Sequence, residues 1–287
     1  MSLPKVGITA GDPAGIGPEI ARKAMADSRV TAVCEPIFYG SPHPFAAGVL
    51  SADAGLAAYE NIVRAVRDAE GGSIHAIATA PINKEALALA GLPWRGHTEM
   101  LAELTRAPSV AMMFWSEKLR VVLATIHIPL ASVPAALTIE SVSGIIELTN
   151  RELPRFGIAR PRIALAGLNP HAGEHGILGR EETDVLEPAV ARSANMGIDI
   201  SGPFPGDTIF LRAMRGEFDA VIACYHDQGL IPIKMAAFGQ AVNVTLGLPI
   251  IRTSVDHGTA FDIAGKDIAD PESMVQAVLL AAKLTGG

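Results

Sequence analysis

Short apolar runs alternate with helical patterns along the chain, and this alternation limits the fold more than any other feature. Lys5–Ala10, Val33–Tyr39, Ile74–Thr79, Leu119–Ile126, Arg162–Leu168, Ala220–Cys224 and Ala241–Thr245 read as strands. Pro18–Ala26 opens on a proline suited to a first helical turn. Ala54–Glu70 carries Leu56, Tyr59, Ile62, Val63 and Val66 at helical spacing. A short helix follows Pro81 and runs through Leu89. Thr138–Leu153 has Thr138 as an N-cap and Glu140 in its first turn. Ser273–Leu284 reads as a terminal helix. Strands alternating with helices mean an α/β protein with a largely parallel sheet.

Composition narrows the class. A chain of 287 residues fits one large α/β domain or two modest lobes. Charged residues make up 18%, below the usual value of about 25%, which excludes a disordered chain and favours an oligomer that hides some surface. The net charge of −7 argues against a nucleic-acid partner, which would need a basic face. No apolar run approaches the roughly 18–20 residues of a membrane span, so no membrane partner is expected. The stretch Met1–Gly7 lacks a basic flank followed by an apolar run, so no signal peptide is expected. Cys34 and Cys224 sit in apolar surroundings and read as buried thiols of a cytoplasmic protein.

Familiar nucleotide and hydrolase motifs do not fit. Gly11-Asp12-Pro13-Ala14-Gly15-Ile16-Gly17-Pro18-Glu19 lies between a strand and a helix, but it is not G-x-G-x-x-G. It reads equally as a tight turn or as a nucleotide contact. No P-loop frame surrounds Lys266, and there is no G-x-S-x-G. Histidines carry more information. His127, His171 and His226 each follow an apolar strand. In open α/β sheets ligands bind beyond the carboxyl ends of strands. Three imidazoles there suit a metal site with open positions, or they are satisfied polar residues at strand ends. Polar residues in Thr79–Lys84, Gly96–Glu99, Asn169–Glu174, Tyr225–Gly229 and Ser254–Lys266 exceed what a core needs. Lys234 and Arg252 are either anion-binding groups or surface charge.

Taken together, Gly11–Glu19, Gly96–Glu99, Asn169–Glu174, Tyr225–Gly229 and Ser254–Lys266 resemble the 4-hydroxythreonine-4-phosphate dehydrogenase family of pyridoxal phosphate biosynthesis, nearly end to end. Gly15–Glu19 and His257–Gly265 are similar to segments of the wider isocitrate and isopropylmalate dehydrogenase superfamily. The resemblance implies a two-lobed fold of that kind with the active site in the interlobe cleft, segmented as 1–98 plus 260–287 and 99–259. It implies a homodimer with a shared active site, and one divalent metal (Zn, Mg, Mn or Co) on His127, His171 and His226, one of them from the neighbouring subunit. Substrate contacts are expected from His97, Thr98, Lys234, Asn243 and Arg252. NAD, or NADP, is expected along Gly15, Gly17, His257, Gly258, Thr259 and Asp262.

The implied reaction is oxidation of 4-phosphohydroxy-L-threonine, with decarboxylation of the β-keto acid. Lys234 and Asp207 are the base candidates; Asp207 reads equally as a partner orienting a metal-bound imidazole. Paralogues that resemble the family act on 4-phospho-D-threonate or erythronate, or on an aromatic cis-dihydrodiol carboxylate. A non-catalytic relative would be expected to lose a polar site position, and all three histidines and all five substrate positions are present.

Overall fold

A computed structural model of the chain describes residues 2–94, 96–237 and 239–286. It divides into two compact units, one of residues 1–110 and 242–287 and one of residues 111–241.

The first unit begins with β1 (Lys5–Thr9), α1 (Gly17–Ala26), α2 (Ser28–Thr31), β2 (Glu35–Tyr39), α3 (Ala52–Glu70), β3 (Ala76–Thr79), α4 (Lys84–Leu89) and α5 (His97–Leu104). The second holds β4 (Ala111–Trp115), β5 (Arg120–Leu123), α6 (Val133–Ala136), α7 (Ile139–Glu152), β6 (Ile163–Ala166), α8 (Glu187–Asn195), β7 (Ile200–Phe204), α9 (Ile209–Met214), β8 (Ala220–Ala223) and α10 (His226–Ala236). The chain then returns to the first unit with β9 (Val242–Leu246), β10 (Ile251–Ser254) and α11 (Glu272–Thr285).

In the first unit β2, β1, β3 and β10 pair in parallel, and β9 joins β10 antiparallel. In the second, β5, β8, β6 and β7 pair in parallel, and β4 joins β5 antiparallel. The parallel strands β3, β6 and β8 are buried at every position, so their sequences are unbroken apolar runs rather than alternating ones. Ile62, Ile77, Leu87, Met100 and Leu101 form the core of the first unit. Phe114, Leu123, Phe210, Val221 and Ile233 form that of the second.

Local chemistry sets the helix ends. Ser51 caps α3 by accepting from the Ala54 amide at 3.2 Å. Thr138 and Ser141 form a reciprocal capping box at the start of α7. The α3 pattern differs in one respect from expectation: Leu56 is exposed, and the buried stripe runs through Ala54, Ala58, Ile62, Ala65 and Val66. Small residues win this face because α3 lies against α4 so closely that a Cβ on Gly55 would stand 2.2 Å from the Ala86 carbonyl oxygen.

The chain crosses between units at 110/111 and 241/242, whereas the expected segmentation placed the crossings at 98/99 and 259/260. Residues 99–110 stay with the first unit because Met100 and Leu101 fill its core. Residues 242–259 return early because β10 pairs with β3, Arg252 opposite Ile77. Among the described residues no single helix is long and apolar enough to cross a membrane.

Helix α10 begins three residues after β8 and packs on β5 through Gly229. A Cβ there would lie 2.7 Å from both Leu123 Cδ2 and Val121 Cγ1. Gly229→Ala is expected to push α10 off the sheet and cost about 1–3 kcal/mol, measured as a lower urea midpoint of unfolding.

Candidate functional site

The second unit gathers the histidines through its sheet order. Strands β5, β8 and β6 are neighbours and parallel, so their carboxyl ends share one edge. His127 lies four residues beyond β5, His226 opens α10 after β8, and His171 lies five residues beyond β6. The β5 strand stops at Leu123, short of the expected Ile126, because the chain turns where Thr125 Oγ1 donates to the Cys224 carbonyl at 2.7 Å. Gln228 ties the next pair of ends. Its Oε1 accepts from the Cys224 amide and its Nε2 donates to the Gly167 carbonyl, both at 2.7 Å.

The imidazoles of His127 and His226 stand 5.6 Å apart, centroid to centroid, and are tilted by 45°. Asp227 Oδ1 lies 2.7 Å from His226 Nδ1. A carboxylate on Nδ1 leaves Nε2 as the basic nitrogen, the arrangement in which histidine binds metals. His171 lines a cavity of about 830 Å³ with Asp207, Tyr225, Asp227 and Gln228. Among the described residues no three of His, Cys, Asp or Glu are grouped closely enough to hold a metal ion. The donor chemistry therefore fits a metal through two imidazoles of one chain, with further ligands needed. Lys234 is half-buried on α10, eight residues and so about 12 Å along the helix from His226. It makes no ion pair with a described residue.

The first unit holds a different constellation. Arg252 on β10 is 2% exposed. Its Nε and Nη2 donate to Thr79 Oγ1 on β3, at 3.2 and 2.7 Å, and its Nη1 donates to Thr245 Oγ1 on β9 at 2.9 Å. No described carboxylate pairs with it, and burial pushes its pKa down to about 9. Asn243 stands two residues before Thr245 and so shares its face of β9. Its Oδ1 is buried without a partner. His97 is the first residue of α5 and Thr98, beside it, is buried. The His97 Nε2 is buried and unpartnered, and burial, then the charge of Arg252, holds its pKa well below the usual histidine value. Cations and orphaned polar atoms buried without a counter-charge are costly unless an anion completes them.

The remaining expected residues lie along the Gly11–Gly17 turn and the 255–271 loop. The Ile16 amide donates to the Thr259 carbonyl at 2.9 Å. A Cβ on Gly15 would meet that same oxygen at 2.8 Å, and one on Gly17 would meet the Ala10 carbonyl oxygen at 2.0 Å. Both glycines are thus required by backbone approach. Gly15 also lines a cavity of about 700 Å³ with Pro18, Glu19, Arg22, His43 and Asp267. His257, Gly258 and Asp262 are exposed and stand outside that lining, as do Gly17 and Thr259. Asp12, read only as a member of the Gly11–Glu19 segment, caps the turn by accepting from the Ala14 amide at 2.8 Å. Thr245 and Glu182 were passed over, and Thr79 and Gln228 were read only as polar members of their segments, because these residue types carry no motif of their own.

The chain matches the family model described as pyridoxal phosphate biosynthetic protein PdxA over residues 17–281. It is 45% identical to a 4-hydroxythreonine-4-phosphate dehydrogenase of Desulforapulum autotrophicum, over 97% of this chain and 95% of that one. It is 44% identical to a D-threonate 4-phosphate dehydrogenase of Cupriavidus necator, over 98% and 97%. A crystal structure of 4-hydroxythreonine-4-phosphate dehydrogenase from Klebsiella pneumoniae superposes with a TM-score of 0.91 at 40% identity, covering 100% and 99%. An isocitrate dehydrogenase from Methylococcus capsulatus, 18% identical over 96% of this chain and 84% of that one, shares the fold with a TM-score of 0.53.

His97 gives a pH test of the buried cluster. Unfolded histidine takes up a proton near pH 6.5, while folded His97 does so only at lower pH. Its contribution to stability is present above pH 6.5 and is lost as pH falls toward the folded value. Between about pH 6.5 and 5 the wild type is expected to lose up to roughly 1.4 kcal/mol per pH unit more than His97→Asn, measured by urea unfolding at each pH.

Proposed function

The chain belongs to the pyridoxal phosphate biosynthetic protein PdxA family, and from that premise we propose that it is a dehydrogenase that oxidises 4-phosphohydroxy-L-threonine with NAD and a divalent metal. The observation that carries this reading is the buried Arg252, held among the described residues by hydroxyls alone, with His97 near it and the Asn243 Oδ1 unpartnered. A phosphorylated or carboxylated hydroxy acid supplies the missing negative charge. In this reading Arg252, His97, Thr98 and Asn243 bind and orient the anionic substrate, and Lys234 adds a second cation.

His127 and His226 are the metal ligands of this chain, with Asp227 fixing the His226 tautomer and His171 the third candidate. A divalent cation would supply Lewis acidity toward the substrate hydroxyl and the later carbonyl. NAD would accept the hydride, and Gly15, which lines the 700 Å³ cavity, is the contact proposed for its nucleotide end. Asp207 or Lys234 takes the hydroxyl proton as hydride leaves the same carbon. The β-keto acid so formed loses carbon dioxide, and the carbon left behind takes a proton. Exposed Leu211, Met214, Ile231 and Met235 surround the His171 cavity with apolar surface, which suits cover by a second copy in a homodimer. Cys34 and Cys224 are both free and buried, which suits a reducing cytoplasm.

A second reading keeps the chemistry on D-threonate 4-phosphate, since relatives named for that substrate are 42–44% identical. Purified protein with NAD and Zn²⁺, Mg²⁺ or Mn²⁺ is expected to form NADH fastest with 4-phosphohydroxy-L-threonine, followed by absorbance. Turnover of D-threonate 4-phosphate alone would establish the second reading in its place. Arg252→Met is expected to lose about 2–5 kcal/mol of substrate binding, roughly 30- to 5,000-fold, seen chiefly in KM. An unchanged KM would remove Arg252 from the substrate site.

A further inference from the structure

Residues 171–175 form one turn of left-handed helix. Their φ values are +53° (His171), +52° (Ala172), +79° (Gly173), +44° (Glu174) and +55° (His175). Only one of the five is glycine. Each of the other four costs about 1–2 kcal/mol in this conformation, so the turn survives only where its surroundings dictate it.

Glu182 is the buried group against which this turn packs. The residue is 1% exposed and opens a π-helical turn, Glu182–Leu186, ahead of α8. Its Oε1 accepts from the backbone amides of Leu168 and Asn169, at 2.8 and 2.7 Å. Its Oε2 accepts from Asn169 Nδ2 at 2.9 Å, and Glu181 Oε2 accepts from the same nitrogen at 2.7 Å. Both hydrogens of the Asn169 amide are then spent on carboxylates. Glu182 forms no ion pair with a described residue, so only neutral donors hold this buried carboxylate. The left-handed turn packs directly on it. A Cβ on Gly173 would lie 2.6 Å from Glu182 Oε2, and one on Gly179 would lie 2.3 Å from Asn169 Nδ2.

We propose that Glu182 is the positioning residue of His171: its carboxylate fixes the approach of residues 168–169 and the left-handed turn behind them, and thereby aims the imidazole at the cavity it lines. The functional weight of this inference rests on His171 being a site residue, as read above. The placement of the ring can be measured without any metal.

Hydrogen-bond polarity makes the test specific. In Glu182→Gln the remaining carbonyl oxygen still serves the two backbone amides, but the new NH₂ faces the NH₂ of Asn169. Flipping Asn169 removes that conflict only by aiming its Oδ1 at the Glu181 carboxylate. In the double variant Glu181→Gln with Glu182→Gln, a flipped Asn169 accepts from both new amides and the network closes again.

The readout is the His171 Cε1–Hε1 cross-peak in metal-free protein, assigned by its loss in His171→Gln. The peak is expected to shift or split in Glu182→Gln and to return to its wild-type position in the double variant. A merely structural role predicts the opposite order, since the double variant loses one more carboxylate. An unmoved peak in Glu182→Gln, or a double variant no closer to wild type than the single, overturns the proposal. Should the single variant not fold, the double variant decides alone: a wild-type peak supports the proposal and a displaced one overturns it. A Zn²⁺ titration separates the two readings. Glu182→Gln should weaken binding about 10- to 100-fold and the double variant should restore it. If the wild type binds no Zn²⁺ while the cross-peak behaves as expected, the metal assignment falls and the positioning role stands.

Discussion

Parallel pairing of β5, β8 and β6 is the constraint on which the candidate site in the second unit depends. Parallel neighbours deliver their carboxyl ends to one edge, so loops far apart in sequence emerge side by side. Pairing alone leaves those loops free to splay. Thr125 fastens β5 to β8 through the Cys224 carbonyl, and Gln228 fastens β8 to β6 through the Cys224 amide and the Gly167 carbonyl. Cys224 thus lies at the centre of the stitching through its main chain. Its thiol donates to the Ala166 carbonyl at 3.2 Å, and burial, helped by Glu182, pushes its pKa up to about 12.

The first unit solves a different problem. A net charge of −7 is unfavourable for long-range attraction of anions. A buried guanidinium acts locally instead, where little water screens it. Thr79, Thr245 and Arg252 come from three adjacent strands, so the cation is fixed by the sheet rather than by a flexible loop. Hydroxyl partners hold the guanidinium in place without neutralising it. A carboxylate in their place would stabilise the empty protein and compete with an anionic ligand.

Much of this was legible in the sequence, and the parts that were not share a cause. Parallel strands such as β3, β6 and β8 were visible because burial on both faces leaves unbroken apolar runs, as in Ala220–Ala223, whereas β7 and β10 were not read as strands because Gly202, Pro203 and Arg252 interrupt theirs. The α7 cap was visible in Thr138 because a cap acts within its own first turn, although its reciprocal partner Ser141 was not read. Strand ends were less so: β5 stops where Thr125 meets a carbonyl 99 residues away, which no local pattern encodes. Leu56 was assigned to the core by periodicity, yet the face that packs is the one whose alanines and glycine allow close approach. The histidines and Arg252 were singled out by type and position. Thr245 and Glu182 escaped, and Thr79 and Gln228 had no role of their own beyond their polar segments, because common residues gain meaning only from partners brought by the fold.

The two units also differ in where they carry energetic cost. In the first, the cost is electrostatic: Arg252 and His97 are taken from water, and among the described residues no opposite charge pairs with either to repay the desolvation. In the second it is conformational: four non-glycine residues occupy left-handed backbone beside His171. Each cost is of the kind a site needs. An unneutralised cation selects for an anion, and nothing about its direction has to be exact beyond the reach of three donors. An imidazole that must meet a particular lone-pair direction has no such tolerance, and a relaxed loop would let it wander. Strain held by a buried carboxylate removes that freedom. It follows that the histidine most exposed to loss of geometry is His171, whose support is the buried Glu182 carboxylate with Asn169 and Glu181 behind it, and not His226, whose helix is anchored through Gly229 on β5.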